Sequence, residues 1–377
     1  MRIAMFYHSL ISDWNHGNAH FLRGVVSELL ARGHRVSVYE PFDNWSLRNL
    51  VLDHGTEAVE GFRTAYPKLD STCYKLDELD LDAELEGVDL VIVHEWNDHS
   101  LVRSIGRHRA RNRSYLLFFH DTHHRSVTAP ESMSNYDLTH YDGVLVFGES
   151  IREIYMRKGW AARAWTWHEA ADTRRFYPRR RLNRKADVVW IGNWGDGERA
   201  AELHEFLLDP VRDLQLRARA YGVRYPPDAE KALAAAGIGY GGWLPNYEVP
   251  STFARYQVTV HVPRRPYVQA LPGIPTIRPF EALACGIPLV SAPWNDTDAL
   301  FTPGRDFLVA HDGGEMRRRM RDLLHDKQMA REIADHGRRT VLARHTCAHR
   351  VDELFRIYIE SGTPKEGLLH ENLVFRI

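Results

Sequence analysis

The segment from Thr276 to Ala292 reads T-I-R-P-F-E-A-L-A-C-G-I-P-L-V-S-A and carries one acid, Glu281, in an otherwise apolar run of Phe280, Ala282, Leu283, Ala284 and Cys285. A carboxylate there is costly to desolvate unless it has a partner. A ribose diol is a suitable one, because a single carboxylate accepts from two adjacent hydroxyls. The plainer alternative is an acid favoured by the dipole at a helix start. Other clusters could also do chemistry. Gly192, Gly195 and Gly197 form a glycine-rich turn into a helix bearing Arg199. That suits a phosphate at a helix N-terminus, although the spacing is not G-x-G-x-x-G. The run H-D-T-H-H, His120–His124, offers imidazoles and a carboxylate of metal-binding type, but in a spacing that matches no metal pattern. Asp80-Leu81-Asp82 and Asp296-Thr297-Asp298 have the acid-x-acid form of some metal-dependent sugar transferases, a form common by chance. No metal site is expected.

These residues need a scaffold, and the sequence pattern supplies one. Short apolar runs alternate with helix-period segments, the signature of βαβ units and parallel sheets. In the first half, strands are expected at Arg2–Tyr7, Arg35–Tyr39, Asp89–Val93, Tyr115–Phe119, Gly143–Phe147 and Arg163–Trp167. Phe21, Leu22, Val25, Val26, Leu29 and Leu30 make one face of a helix that Gly33 stops. In the second half, strands are expected at Val188–Gly192, Leu214–Ala220, Val258–Val262, Leu289–Ala292 and Phe307–Ala310. Helices are expected near Glu198–Leu208, Ala229–Ala236, Ser251–Tyr256 and Pro279–Ala284, and from residue 312 to Glu360. His168–Ala186 reads as the linker, and residues 43–86 as an irregular insert.

Ligands of open parallel sheets bind beyond the carboxyl ends of the strands. There the sequence places His8, His94 with Glu95, His120 with Asp121, Gly192-Asn193, Tyr221-Gly222 and Pro263-Arg264-Arg265. Two sheets facing across a cleft would bring all of them together.

Composition narrows the classes of function. The 377 residues suggest about two domains. Lys plus Arg (49) nearly equals Asp plus Glu (50), so no global charge steers the chain to nucleic acid or to an anionic membrane. Cys73, Cys285 and Cys347 are odd in number and lack metal spacing, which suggests free thiols in a reducing, cytoplasmic setting. His8 and Asp13 interrupt the N-terminus too early for a signal peptide. No run approaches the roughly 18 apolar residues of a membrane span.

Four segments resemble retaining glycosyltransferases of the GT-B fold, in particular the spore-maturation (CgeB-like) branch. N-H-G-N-A-H-F-L…E-L-L-A-R-G-H-R-V-S-V-Y (15–39) is similar to the first loop, helix and second strand of that fold. H-E-A-A-D-T-R-R-F-Y-P (168–178) resembles its interdomain segment. W-I-G-N-W-G-D-G-E-R (190–199) resembles the first strand and phosphate turn of its donor domain. R-P-F-E-A-L-A-C-G-I-P-L-V-S-A (278–292) resembles its nucleotide-sugar motif. The resemblance implies an α/β GT-B architecture of two Rossmann-like domains facing across a cleft. Residues 1–170 would form the acceptor side and 171–355 the donor side, with 356–377 returning to the first domain. It implies that Glu281 binds the nucleotide ribose and that Gly192, Asn193 and Arg199 approach the diphosphate; Tyr221, Arg264 and Arg265, at their strand ends, are expected on the same donor side. His120 and Asp121 would be catalytic, beside the donor sugar and acceptor. His8, Gly17, Asn18, His94 and Glu95 would line the acceptor side. Many relatives carry a second glutamate where this chain has Gly273, so the sugar contact is expected from backbone near Gly273, Ile274, Pro275 and Thr276.

The expected reaction moves a sugar from a nucleoside diphosphate donor to a glycan or small-molecule hydroxyl. Retention is implied, and no metal or cofactor is required beyond the donor. Two rivals are a nucleotide-sugar epimerase of the same fold and a non-catalytic sugar-binding or coat-associated relative. A nucleic-acid acceptor is the less favoured variant, although basic residues around Arg174–Arg184 could serve it.

Overall fold

The structure, a computed structural model, describes residues 1–179 and 186–362. Two all-parallel sheets organise it. The first contains β1 (Arg2–Phe6), β2 (Arg35–Pro41), β3 (Thr72–Tyr74), β4 (Leu90–His94), β5 (Leu116–Asp121), β6 (Gly143–Val146) and β7 (Ala164–Thr166), in the order β3-β2-β1-β4-β5-β6-β7. The second contains β8 (Val188–Ile191), β9 (Ala218–Tyr221), β10 (Ile238–Tyr240), β11 (Val258–His261), β12 (Leu289–Ser291) and β13 (Leu308–Val309), in the order β10-β9-β8-β11-β12-β13. Helices cover both faces of each sheet, so the central strands are largely apolar, and every residue of β4, β5, β6, β8 and β11 is buried. In each sheet the order reverses beside the first strand, between β1 and β4 and between β8 and β11. Those reversals open the crevices in which ligands sit.

The helix Ala19–Ala31 buries Phe21, Leu22, Val25, Val26 and Leu29, the face expected from its period. The helix Ile277–Cys285 ends at Gly286, which takes the left-handed conformation (φ 65°) that glycine adopts without strain. Residues 43–86 differ from expectation. They form helices Trp45–His54, Glu57–Ala65 and Leu81–Glu84 and the edge strand β3. Their pattern is faint because the first two helices bury only Ser46, Leu50, Ala58 and Phe62. The strand expected from Leu214 starts only at Ala218, because Gln215 (φ 51°) turns the chain first. The helix expected over Glu198–Leu208 starts at Ala200, and passes through a wider turn at His204–Leu208 before ending at Asp213.

The last helix, Cys347–Glu360, lies on the first sheet's side. Thr346 and His349 close its start with reciprocal hydrogen bonds. Cys347, Val351, Leu354 and Ile357 join the core that holds Val25 and Leu29. Trp167 Nε1 donates to Arg350 O at 2.8 Å, and Arg32 pairs with Asp352 at 2.5 Å. The crossing back thus begins before residue 356, and residues 363–377 lie outside the described residues.

Candidate functional site

The two sheets face each other across a cleft of about 810 Å³. Its second-domain wall is built on the turn that follows β8. Arg199 reaches back along this turn and donates to Asn193 O at 2.5 Å and to Val262 O at 2.8 Å. Its plane lies over Trp190. Burial, reinforced by the neighbouring charge of Arg264, pulls its pKa down to about 9. Among the described residues no carboxylate lies within ion-pair distance of it, and its Nε has no hydrogen-bond partner. Three more arginines line the same wall, among them Arg224, which pairs with Asp196 at 3.2 Å. Arg264 pairs with Glu198 at 2.9 Å, and Arg278 with Glu281. Arg265 turns away from the cleft, to Glu202 at 2.7 Å and Gly197 O at 2.8 Å, so it braces the glycine turn. Thr276 lies on the cleft with φ 61° and ψ −178°. A side-chain-bearing residue rarely adopts that region, and such strain concentrates where ligands are clamped.

The first-domain wall is the loop after β1. Buried Glu40 accepts from Ser9 Oγ at 2.8 Å and from the Leu10 and Ile11 N–H groups at 2.7 and 3.1 Å. Arg23 donates to Leu10 O and Ile11 O and pairs with Asp13 at 2.8 Å. The braced loop presents His8, His16, Gly17 and Asn18, beside Trp14, Trp45 and Trp96. Burial lowers the pKa of His8 to about 4, against a weaker pull from Asp43, and its Nε2 has no partner. The two walls are tied together. Asp13 accepts from Trp243 Nε1 at 2.8 Å and from Asn246 N at 2.9 Å, while Asp298 accepts from Glu149 N at 3.0 Å and His168 Nε2 at 2.8 Å.

Of the expected site residues, the cleft gathers His8, Gly17, Asn18, Gly192, Asn193, Arg199, Arg264 and Thr276. The rest sit elsewhere. His120 and Asp121 are corrections: β5 runs on through both, so they are buried inside the sheet rather than in the loop beyond it. His120 Nδ1 meets Tyr7 OH at 2.7 Å, and burial lowers its pKa to about 3. Asp121 accepts from Tyr155 OH at 2.9 Å and His123 N at 3.0 Å. The cleft meets Thr122, His123 and His124 instead. His94 is fully buried and holds Thr122 Oγ1 at 2.9 Å. Glu95 grips Arg125 at 2.5 Å. Burial and the neighbouring Asp121 push its pKa up to about 8.

Glu281 is completely buried and its partners come from the protein: Asn246 Nδ2 at 2.7 Å, His20 Nδ1 at 3.2 Å, and Arg278. Burial works against its charge, but these partners hold the carboxyl below its ordinary pKa. Glu281 thus meets the cleft through Arg278. Tyr221 carries Arg219 over its ring, and Ile274 is packed in the first domain's core. Pro275 turns its carbonyl to buried His261. Gly273 sits at φ 90° with Asp298 against the position a Cβ would take, so a glutamate there would be strained and would have to displace Asp298. Both acid-x-acid triplets hold backbone. Asp80 accepts from Asp82 N and Ala83 N, and Asp296 from Leu300 N and Phe301 N.

Sequence reasoning missed Glu169, Arg278, Asp13, His123 and the tryptophans of the cleft. Glu169 follows β7 by three residues, so the carboxyl-end rule that found His8 applied to it as well. It was hidden in a segment read as linker.

Residues 199–356 match the glycosyl transferase-like family model. No curated protein matches the sequence. Solved structures match nearly the whole chain. An α-glucosyltransferase bound to UDP and a 13-mer DNA aligns with a TM-score of 0.69 and 13% identity, covering 95% of this chain and 99% of that one. HepE of Anabaena, bound to UDP and glucose, gives 0.66 and 14%, with 95% and 99% covered. Sucrose-phosphate synthase of Thermosynechococcus elongatus gives 0.63 and 15%, with 96% and 98% covered. The two facing parallel-sheet domains are the GT-B fold.

Proposed function

We propose that this chain is a GT-B glycosyltransferase that moves a sugar from a UDP-sugar to the hydroxyl of a glycan or small molecule. We further propose that it works with retention and without a metal ion, as a member of the spore-maturation (CgeB-like) branch in a reducing compartment. The observation that carries the reading is Arg199: a partly buried cation with no carboxylate partner, on a glycine turn that opens into the cleft. A buried charge is tolerated where an opposite charge completes it, and a diphosphate fits that place. UDP is favoured because it is the nucleotide in two of the similar structures.

In the reaction, the bond from the anomeric carbon to the diphosphate oxygen breaks. A bond to the acceptor oxygen forms, and the acceptor's proton leaves with the diphosphate. Arg199, Arg264 and Arg278 face the charge that develops on the leaving group, the role of preorganised electrostatic stabilisation. A nucleic-acid acceptor is less favoured. Arg174 is held by Glu28, Arg175 lies over Tyr66 and Arg179 over Tyr177, so the described members of the basic segment are already occupied. Arg180, Arg181 and Arg184 lie outside the described residues.

The test is calorimetric titration with UDP, UDP-glucose and GDP in EDTA, followed by turnover with an acceptor panel and NMR of the product's anomeric proton. UDP binding that survives the chelator and a product of unchanged anomeric configuration are expected. Absence of UDP binding sinks the reading, and turnover that needs added divalent metal sinks its metal-independent part. Turnover of the UDP-sugar without any acceptor would indicate the epimerase, and binding without turnover the non-catalytic relative.

A further inference from the structure

Glu169 and Asn18 lie on the same stretch of the cleft, and both are more than nine-tenths buried. Asn18 occupies the N-cap of the helix Ala19–Ala31, where a carboxamide ordinarily accepts from the helix N–H groups. It makes no such bond; the one polar group that its amide leans on is the Glu169 carboxyl, and neither Nδ2 nor Oδ1 completes a well-formed hydrogen bond. An amide left unsatisfied in a buried place is costly, which points to a ligand that completes it. Beside it, Glu169 enters no ion pair among the described residues. The charged and titratable groups that face Glu169 are Glu281 and Arg278 on one helix and Tyr267 on another. Burial and the charge of Glu281 outweigh Arg278 and Asn18, and the carboxyl is pushed up to about 8. At neutral pH it therefore carries its proton and both donates and accepts.

Resting on the UDP-sugar reading above, we propose that Glu169 and Asn18 form the subsite that reads the hydroxyls of a neutral donor sugar, the part of the donor that the arginines do not hold. A carboxylic acid and a carboxamide side by side offer two kinds of donor and two acceptors. Neighbouring sugar hydroxyls need that mixture, and a site built to hydrogen-bond hydroxyls discriminates strongly against their absence.

The experiment compares UDP with UDP-glucose by calorimetry for wild type, Glu169→Ala, Glu169→Gln and Asn18→Ala, with folding checked by circular dichroism. UDP affinity is expected to stay within about twofold, while Glu169→Ala and Asn18→Ala lose at least about tenfold in UDP-glucose affinity. Wild type should bind UDP-glucose more weakly above about pH 8, where Glu169 loses its proton. Glu169→Gln, which keeps a donor and an acceptor but does not titrate, should bind normally at pH 7 and lack that fall. Should Glu169→Ala not fold, Asn18→Ala and Glu169→Gln decide alone. Alanine variants that bind UDP-glucose like wild type overturn the proposal. So does a parallel loss of UDP affinity, or a pH fall that persists in Glu169→Gln. A wild-type chain that does not bind UDP overturns the underlying reading as well; one that binds UDP, with the alanine variants unchanged toward UDP-glucose, overturns only this subsite.

Discussion

The two walls of the cleft are built on the same scaffold and carry opposite chemistry. The second-domain wall is cationic. It presents four arginines, three of them paired with Asp196, Glu198 and Glu281 and one, Arg199, without an acid. The first-domain wall is neutral. It presents histidines whose charged form burial disfavours, with tryptophans between them. An anion is stabilised on one side and an uncharged polyol tolerated on the other. A charged diphosphate and a neutral acceptor can then meet without either facing the wrong field.

Four changes break or sharpen this contrast. The largest effect is expected from Arg199→Ala. Removing the unpaired guanidinium should cost roughly 3 kcal/mol of UDP binding, the upper range for a charged hydrogen bond, and calorimetry that finds wild-type affinity would refute the anion role. Glu281→Gln comes next, at about 2 kcal/mol of folding stability. Its carboxyl is held below the ordinary pKa, so its contribution is present above about pH 4.5 and is lost as pH falls through the folded value. Urea unfolding at pH 7 reads the loss. Unchanged stability with weakened UDP binding would instead show that the carboxylate serves the ligand directly.

The sheet behind the neutral wall has its own signature. An unfolded histidine takes up a proton near pH 6.5, whereas His120 waits until about pH 3. Between those values the unfolded chain binds the extra proton, so acidification destabilises the fold. Glu95 and Glu169, both pushed up to about 8, act in the opposite sense, so the informative quantity is a difference. The stability gap between wild type and His120→Gln should change by up to about 1.4 kcal/mol per pH unit below 6.5. A gap that stays constant from pH 7 to 5 removes His120 from the account. The smallest effect is Asp80→Ala, a lost helix cap costing about 1 kcal/mol, with donor affinity untouched. If donor affinity falls, the triplet is more than a cap.

Much of this was legible in the residues. The alternation of apolar runs gave the two parallel sheets, the carboxyl-end rule found His8, Asn193 and Arg264 in the cleft, and the glycine-rich turn found Arg199. The same rule failed at His120 and Asp121 because β5 extends through them. A histidine that continues a strand looks in sequence like one that begins a loop. Residues 45–65 were illegible because helices that bury so few side chains leave almost no periodic trace.

Local pattern therefore determined the architecture and the glycine turn, since period, turn chemistry and strand apolarity act over a few neighbouring residues. Only tertiary structure decided who partners whom. Glu281 stood in the sequence as an acid that needed a partner. The fold supplied His20 from one domain and Asn246 and Arg278 from the other, so the ribose partner expected of Glu281 is not needed to satisfy it. Glu169 stood as part of a linker, and the fold buried it in the cleft near an unsatisfied amide. The physical reason is desolvation. Its cost and its remedy are set by atoms far away in the chain, and a sequence records the charge but not what surrounds it.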